Sequence, residues 1–213
     1  MKLPWMSRAD RKRWRAAHTL SDLGDLMARW LERDIKSWPG YQPGYGPEEE
    51  TNPAMIRVLA QLNRAGYLTV DSQPGITEPD DGVMWSQRAS VTGFVDEDEL
   101  VARLEDMAAE HDLRIVLGGR AAGRVDEDVV LTTRDGQPHS VFPGYLGHGE
   151  LRCMWPGVSF DAFGALMYAW QVTIYAPEWG ASGQRLWDAL EGVVGAANPR
   201  VVETEKNVPQ LRR

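Results

Sequence analysis

Only one cysteine, Cys153, occurs in this chain of 213 residues. No internal disulfide can form, and a reducing, cytoplasmic compartment is the simplest expectation. Positive charge is in deficit: 23 Lys and Arg stand against 31 Asp and Glu, a formal net charge of −8. Binding a phosphate backbone requires the opposite balance, so nucleic acid is not the expected partner. The local exception, Arg8, Arg11, Lys12, Arg13 and Arg15, reads as the solvated face of a short helix. No apolar run approaches the ~20 residues that cross a bilayer, and the N-terminus lacks the apolar stretch of a signal peptide. No membrane partner is expected.

Several chemistries lack their residues. Gly118-Gly119-Arg120-Ala121-Ala122-Gly123 has neither the spacing nor the lysine of a phosphate-binding loop. No Gly-x-Ser-x-Gly elbow occurs. His139, His148 and Cys153, even with Asp135, match no established metal-ligand spacing. Cys153 would need a base and an orienting group to act as a nucleophile, and it reads instead as a small hydrophobe in a strand. The paired carboxylates at Asp80-Asp81, Asp96 to Glu99 and Asp126 to Asp128 fall in loops or helix starts, where capping and solvation account for them. Neither catalysis nor a cofactor is expected.

The composition is otherwise that of an ordinary globular domain, 43% hydrophobic and 25% charged. Nine Trp exceed the usual number, and most should wall a core or a pocket. Ser7 and Asp10 suit the start of a first helix. Leu23, Leu26, Met27, Trp30 and Leu31 recur at helical spacing in a second. Trp38 to Pro47 is too rich in Pro and Gly for regular structure, and its aromatics suggest a packed loop. A third helix starts after Thr51 or Asn52 with Pro53 in its first turn, buries Met55, Ile56, Leu59 and Leu62, and stops at Gly66. Strands follow at Tyr67–Val70, Gln87–Phe94, Leu113–Leu117 and Gln171–Tyr175, with a turn at Ser72-Gln73-Pro74-Gly75 and a hairpin around Asp135-Gly136. Further helices are expected from Asp96, over Phe160–Tyr168 and over Ser182–Val194. Helices and strands mix without a βαβα rhythm, which predicts an α+β fold of one domain over residues 1–197, with a polar tail at 198–213.

Asn63 to Gly75 packs a helix exit, a strand and a turn into thirteen residues. In a regular strand Thr69 and Asp71 share one face, with Ser72 beside them at the turn. Together with Glu50 and Thr51 at the start of the preceding helix, these could form a polar pocket floor. Equally, the turn's Ser and Gln could satisfy their own backbone.

This segment resembles the C-terminal regulatory domain of eukaryotic-type methylenetetrahydrofolate reductases, which carries Asn-Arg-x-Gly, an apolar pair, Thr, two residues and Ser-Gln-Pro. Glu50-Thr51 is similar to the Glu-Thr pair opening the same helix there. Gln87 and Ala89, Leu113-Arg114-Ile115, Val141-Phe142-Pro143-Gly144 and Leu186-Trp187 resemble further segments in the same order. The likeness runs from about residue 19 to 194. It implies mixed or antiparallel strands in two adjacent sheets ringed by helices. It also implies a small-molecule ligand, S-adenosylmethionine or S-adenosylhomocysteine, contacted by Glu50, Thr51, Thr69 and Ser72. Two family threonines correspond to Pro138 and Leu151 here, and the family's catalytic barrel is absent. A regulatory fold of this kind could act through another protein. The alternative is an interaction module on the same fold, with exposed aromatics such as Trp155, Trp179, Tyr41 and Tyr45.

Overall fold

The computed structural model describes residues 6–40, 53–120, 129–142 and 145–197. Two helices open it. Helix α1 (Arg8–Arg15) is capped by the Ser7 hydroxyl, which accepts from the Asp10 backbone N–H at 3.0 Å. Helix α2 (Leu20–Leu31) starts in a reciprocal cap between Thr19 and Asp22 and buries all five residues of the expected stripe. Helix α3 (Pro53–Arg64) buries Met55, Leu59 and Leu62, with Ile56 at its margin, and ends at Gly66, whose φ of 99° favours glycine.

The chain then forms β1 (Leu68–Pro74), β2 (Thr77–Asp80) and the long β3 (Val83–Val95). The expected turn at residues 72–75 is a correction: Ser72, Gln73 and Pro74 continue the strand, and only Gly75, at φ 81°, leaves it. Helix α4 (Asp98–Glu110), β4 (Arg114–Gly119), β5 (Val129–Arg134) and β6 (Gln137–Phe142) follow. Next come α5 (His148–Met154), α6 (Phe160–Tyr168), β7 (Trp170–Trp179), a 3-10 turn (Gly180–Gln184) and α7 (Arg185–Ala197).

The fold is α+β, and every strand pair is antiparallel. Strand β3 belongs to two sheet halves at once. Residues 89–95 lie between β1 and β7, with β4 beyond β7; residues 83–87 lie between β2 and β5, with β6 beyond β5. The sheet curls about the middle of this strand. One face of the first half packs Val91, Val95, Val172 and Ile174 beneath α3, α4 and α7. The opposite, concave face buries Leu68 and Phe94 in the main core and carries a separate small apolar cluster of Val116, Val129 and Leu131 beside Tyr175.

Among the described residues five tryptophans, Trp14, Trp30, Trp38, Trp155 and Trp187, are buried. Four of them form a chain under α1 and α2, with ring centroids 6.0 Å apart for Trp14–Trp155, 5.1 Å for Trp38–Trp155 and 6.0 Å for Trp30–Trp38. Trp155 is 1% exposed and therefore belongs to the core and to no surface patch, a second correction. Of the Trp38–Pro47 loop, Trp38 and Pro39 are buried and Gly40 is exposed; Tyr41 to Pro47 lie outside the described residues. Among the described residues no helix is long and apolar enough to cross a membrane.

Candidate functional site

Asn63 holds the end of α3 to the start of β1. Its amide donates to Leu59 O at 2.8 Å and to Thr69 Oγ1 at 2.6 Å, and its carbonyl accepts the Thr69 backbone N–H at 3.0 Å. Arg64 makes a forked pair with Glu32, the C-cap of α2, each N–O distance 2.6 Å. Tyr67, fully buried, sets its hydroxyl 3.0 Å from Val172 O and 3.2 Å from Val91 O. The same burial pushes its phenol well above the ordinary value. The residues of the Asn-Arg-x-Gly-Tyr stretch thus serve the fold.

The strand that follows carries a bulge. Thr69 pairs with Gly93 and Asp71 with Thr92, which leaves Val70 as the extra residue. Paired residues share a face and neighbours along a strand alternate, so Thr69 and Ser72 lie on the helix-covered side while Asp71 lies on the concave side. The expectation that Thr69 and Asp71 share a face is therefore overturned. The inserted residue reverses the alternation between them. It also brings Thr69 and Ser72, three positions apart, to one face.

Of the four residues singled out from the sequence, Thr69 is 5% exposed with its oxygen engaged by Asn63, and Ser72 is half-buried on the same side. Glu50 and Thr51 lie outside the described residues. At the positions of the two missing threonines, Pro138 sits in β6 opposite Thr133, and Leu151 is fully buried in α5.

Asp71 opens instead onto a recess of about 590 Å³ between the bulge and α5, lined among the described residues by Trp38, Val70, Asp71, Glu150, Cys153 and Met154, with Gly40 and Gly149 at its edge. Cys153, expected in a strand, is exposed on this helix. Helix α5 has one buried residue, Leu151, and hence no apolar period from which to infer it. Glu150 accepts the Gly147 backbone N–H at 2.7 Å, which fixes one carboxylate oxygen at the helix start.

The recess carries two carboxylates and, among its described lining, no Lys or Arg. Asp71 keeps accessible surface in the mouth while protein crowds it from behind. Burial pushes its carboxyl above the ordinary value, and the Ser72 backbone N–H draws it part of the way back. An indole, two sulfur-bearing side chains and two carboxylates make a setting for a group that is both cationic and apolar, such as an alkylated sulfonium or ammonium.

Elsewhere two of the four histidines pack edge-on against aromatics, His139 at 4.6 Å from Trp85 and His148 at 5.4 Å from Phe163. Among the described residues no group of three or more His, Cys, Asp or Glu could hold a metal ion. No curated protein matches the chain. A family model does match residues 9–197, from the first turn of α1 to the end of α7, and the chain belongs to that family, DUF6919, described as a domain of unknown function.

Proposed function

We propose that this domain is a cytoplasmic small-molecule sensor that takes a cationic adenosyl ligand of the S-adenosylmethionine type and performs no catalysis. The observation that carries the reading is the recess beside the bulge, with Asp71 and Glu150 in its wall and no described basic residue to neutralise them. A carboxylate whose ionised form is disfavoured by burial gains most from a bound cation. The resemblance to the regulatory domain of methylenetetrahydrofolate reductases supports the same ligand class. The resemblance implies Glu50, Thr51, Thr69 and Ser72 as ligand contacts; Thr69 and Ser72 lie on the other face of β1 from this recess, so in it the cation is held by Asp71 and Glu150.

A thermal-shift comparison tests it. S-adenosylmethionine at 100 times its dissociation constant should add about 2.7 kcal/mol of stability. S-adenosylhomocysteine, which lacks the sulfonium charge, should add less, and Asp71→Asn should shrink the difference. No shift with either ligand, or equal shifts that Asp71→Asn leaves equal, would sink the reading.

One observation favours a protein-interaction module instead. Phe160 and Tyr168, at the two ends of α6, are 85% and 74% exposed. On that reading Phe160→Ser with Tyr168→Ser changes association in sedimentation experiments and no adenosyl ligand shifts the melting temperature.

A further inference from the structure

We infer that the exposed face of α6 docks a second copy of this chain, the two helices crossing antiparallel at Gly164. This gives the two exposed rings noted above one defined partner, and it is independent of any ligand in the recess. Helix α6 buries Ala162, Phe163 and Leu166 and carries Phe160 and Tyr168 on its outer side, 85% and 74% exposed. Gly164 lies midway between them. Residues four apart on a helix are offset by about 40°, so all three share one arc, with the rings about 12 Å apart along the axis. Such a row is the ridge by which helices interdigitate. A Cβ placed on Gly164 would meet nothing within 4 Å, so the backbone lies open between the rings.

The helix is a fixed platform. The Ser159 hydroxyl accepts the Ala162 backbone N–H at 3.0 Å and donates to Ala17 O. On the buried side the Phe163 ring meets His148 edge-on and carries the Arg152 guanidinium 4.2 Å from its centroid. A helix anchored in this way cannot roll its outer rings into the core. Only another molecule can take Phe160 and Tyr168 out of water.

Spacing, charge and size together select a second copy. The row is symmetric about its glycine, so a two-fold axis at Gly164 brings Phe160 of each copy onto the partner's Tyr168, and both contacts form at once. The bare backbone at the crossing lets the helix axes approach to about 8 Å. No Lys or Arg occurs on α6, and its one acidic residue, Asp161, is paired with His18 Nδ1 at 2.9 Å. Nothing on this face selects a charged peptide or an anionic lipid surface. An antiparallel copy, by contrast, sets the positive end of each helix dipole beside the negative end of the other. Four rings bury roughly 600 Å² between them. That is less than half of the roughly 1,600 Å² of a standard interface, which makes the dimer a weak one that dissociates in the micromolar range.

Sedimentation velocity of the whole chain, from low micromolar to near-millimolar concentration, tests the contact. The unaltered chain should pass from monomer to dimer and stop there. Phe160→Ser and Tyr168→Ser should each weaken the dimer by roughly tenfold or more, because each change removes a ring from both symmetric contacts. Gly164→Leu separates a symmetric crossing from an apolar patch that merely adheres. Leucine favours the helix over glycine and enters open space, so the melting temperature should hold or rise. It also adds apolar surface, yet its side chain fills the crossing point, and the dimer should be lost. A monomer at every concentration overturns the inference and leaves the rings to a different protein or a lipid surface. Assemblies that grow past the dimer overturn it too, as does a Gly164→Leu variant that associates as strongly as the parent chain. Unchanged association in both serine variants has the same consequence.

Discussion

The two faces of the first sheet half are made from the same four strands, yet they treat polar groups differently. On the helix-covered side every described polar side chain of the α3–β1 junction is paired: Asn63 with Leu59 and Thr69, Tyr67 with the carbonyls of Val91 and Val172. On the concave side Thr92 and Thr173 pair with each other at 3.0 Å, while Ser90 has no partner and Asp71 opens onto a recess. Buried polar groups stabilise a fold only when satisfied, so the first face reads as scaffold and the second as the place for a ligand. One residue divides them. Val70, inserted at the bulge, turns Asp71 to the concave side.

The largest effect is expected on the scaffold face. A methyl group added at Gly93 would overlap Leu68 O and the Tyr67 ring, so Gly93→Ala should cost about 3 kcal/mol in denaturant unfolding. Next, Asn63→Ala leaves the Thr69 backbone N–H and hydroxyl without their partner in a buried site. A loss of about 2 kcal/mol is expected, with the melting transition remaining cooperative. A loss below about 0.5 kcal/mol would mean that the bulge is held by something other than Asn63.

On the ligand face the expected change has the opposite sign. Asp71 binds its proton more tightly in the folded chain than in the unfolded one, so ionising it opposes folding. Stability should therefore rise as the pH falls from 7 through the raised Asp71 value toward the unfolded value near 3.8. Asp22 and Glu32, whose carboxyls are held below their ordinary values, lose stability over the acidic range instead. The difference between the parent chain and Asp71→Asn isolates the Asp71 contribution. The variant should be the more stable at pH 7, and the gap should close on acidification. A variant less stable at pH 7 would show that ionised Asp71 has a partner in the free protein.

The same contrast explains what the sequence made legible. Periodic apolar stripes marked α2, α3, α4 and α7; α6 runs over the expected residues, Phe160–Tyr168; and α5, which lacks a stripe, was not legible. Asp135-Gly136 identified one hairpin. Asp81-Gly82, with φ of 47° and 79°, makes a second between β2 and β3, and its local signal was just as strong. That turn was missed because the neighbouring acidic residues suggested only a solvated loop. The recess had no such local signal. Its walls come from Trp38, β1 and α5, far apart in the chain, and the facing of Asp71 depends on a bulge whose register is set by Asn63 and Gly93. Thr69-x-x-Ser72 was visible as a pattern, but alternation alone set those two residues on opposite faces.

The division into scaffold face and ligand face is tested most directly by amide chemical-shift mapping as S-adenosylmethionine is added. The backbone signals of Val70, Asp71, Glu150 and Cys153 should move together on one binding curve, while those of Asn63, Tyr67 and Val172 stay in place. Absence of any shift, or shifts confined to α6 around Phe160 and Tyr168, would contradict it.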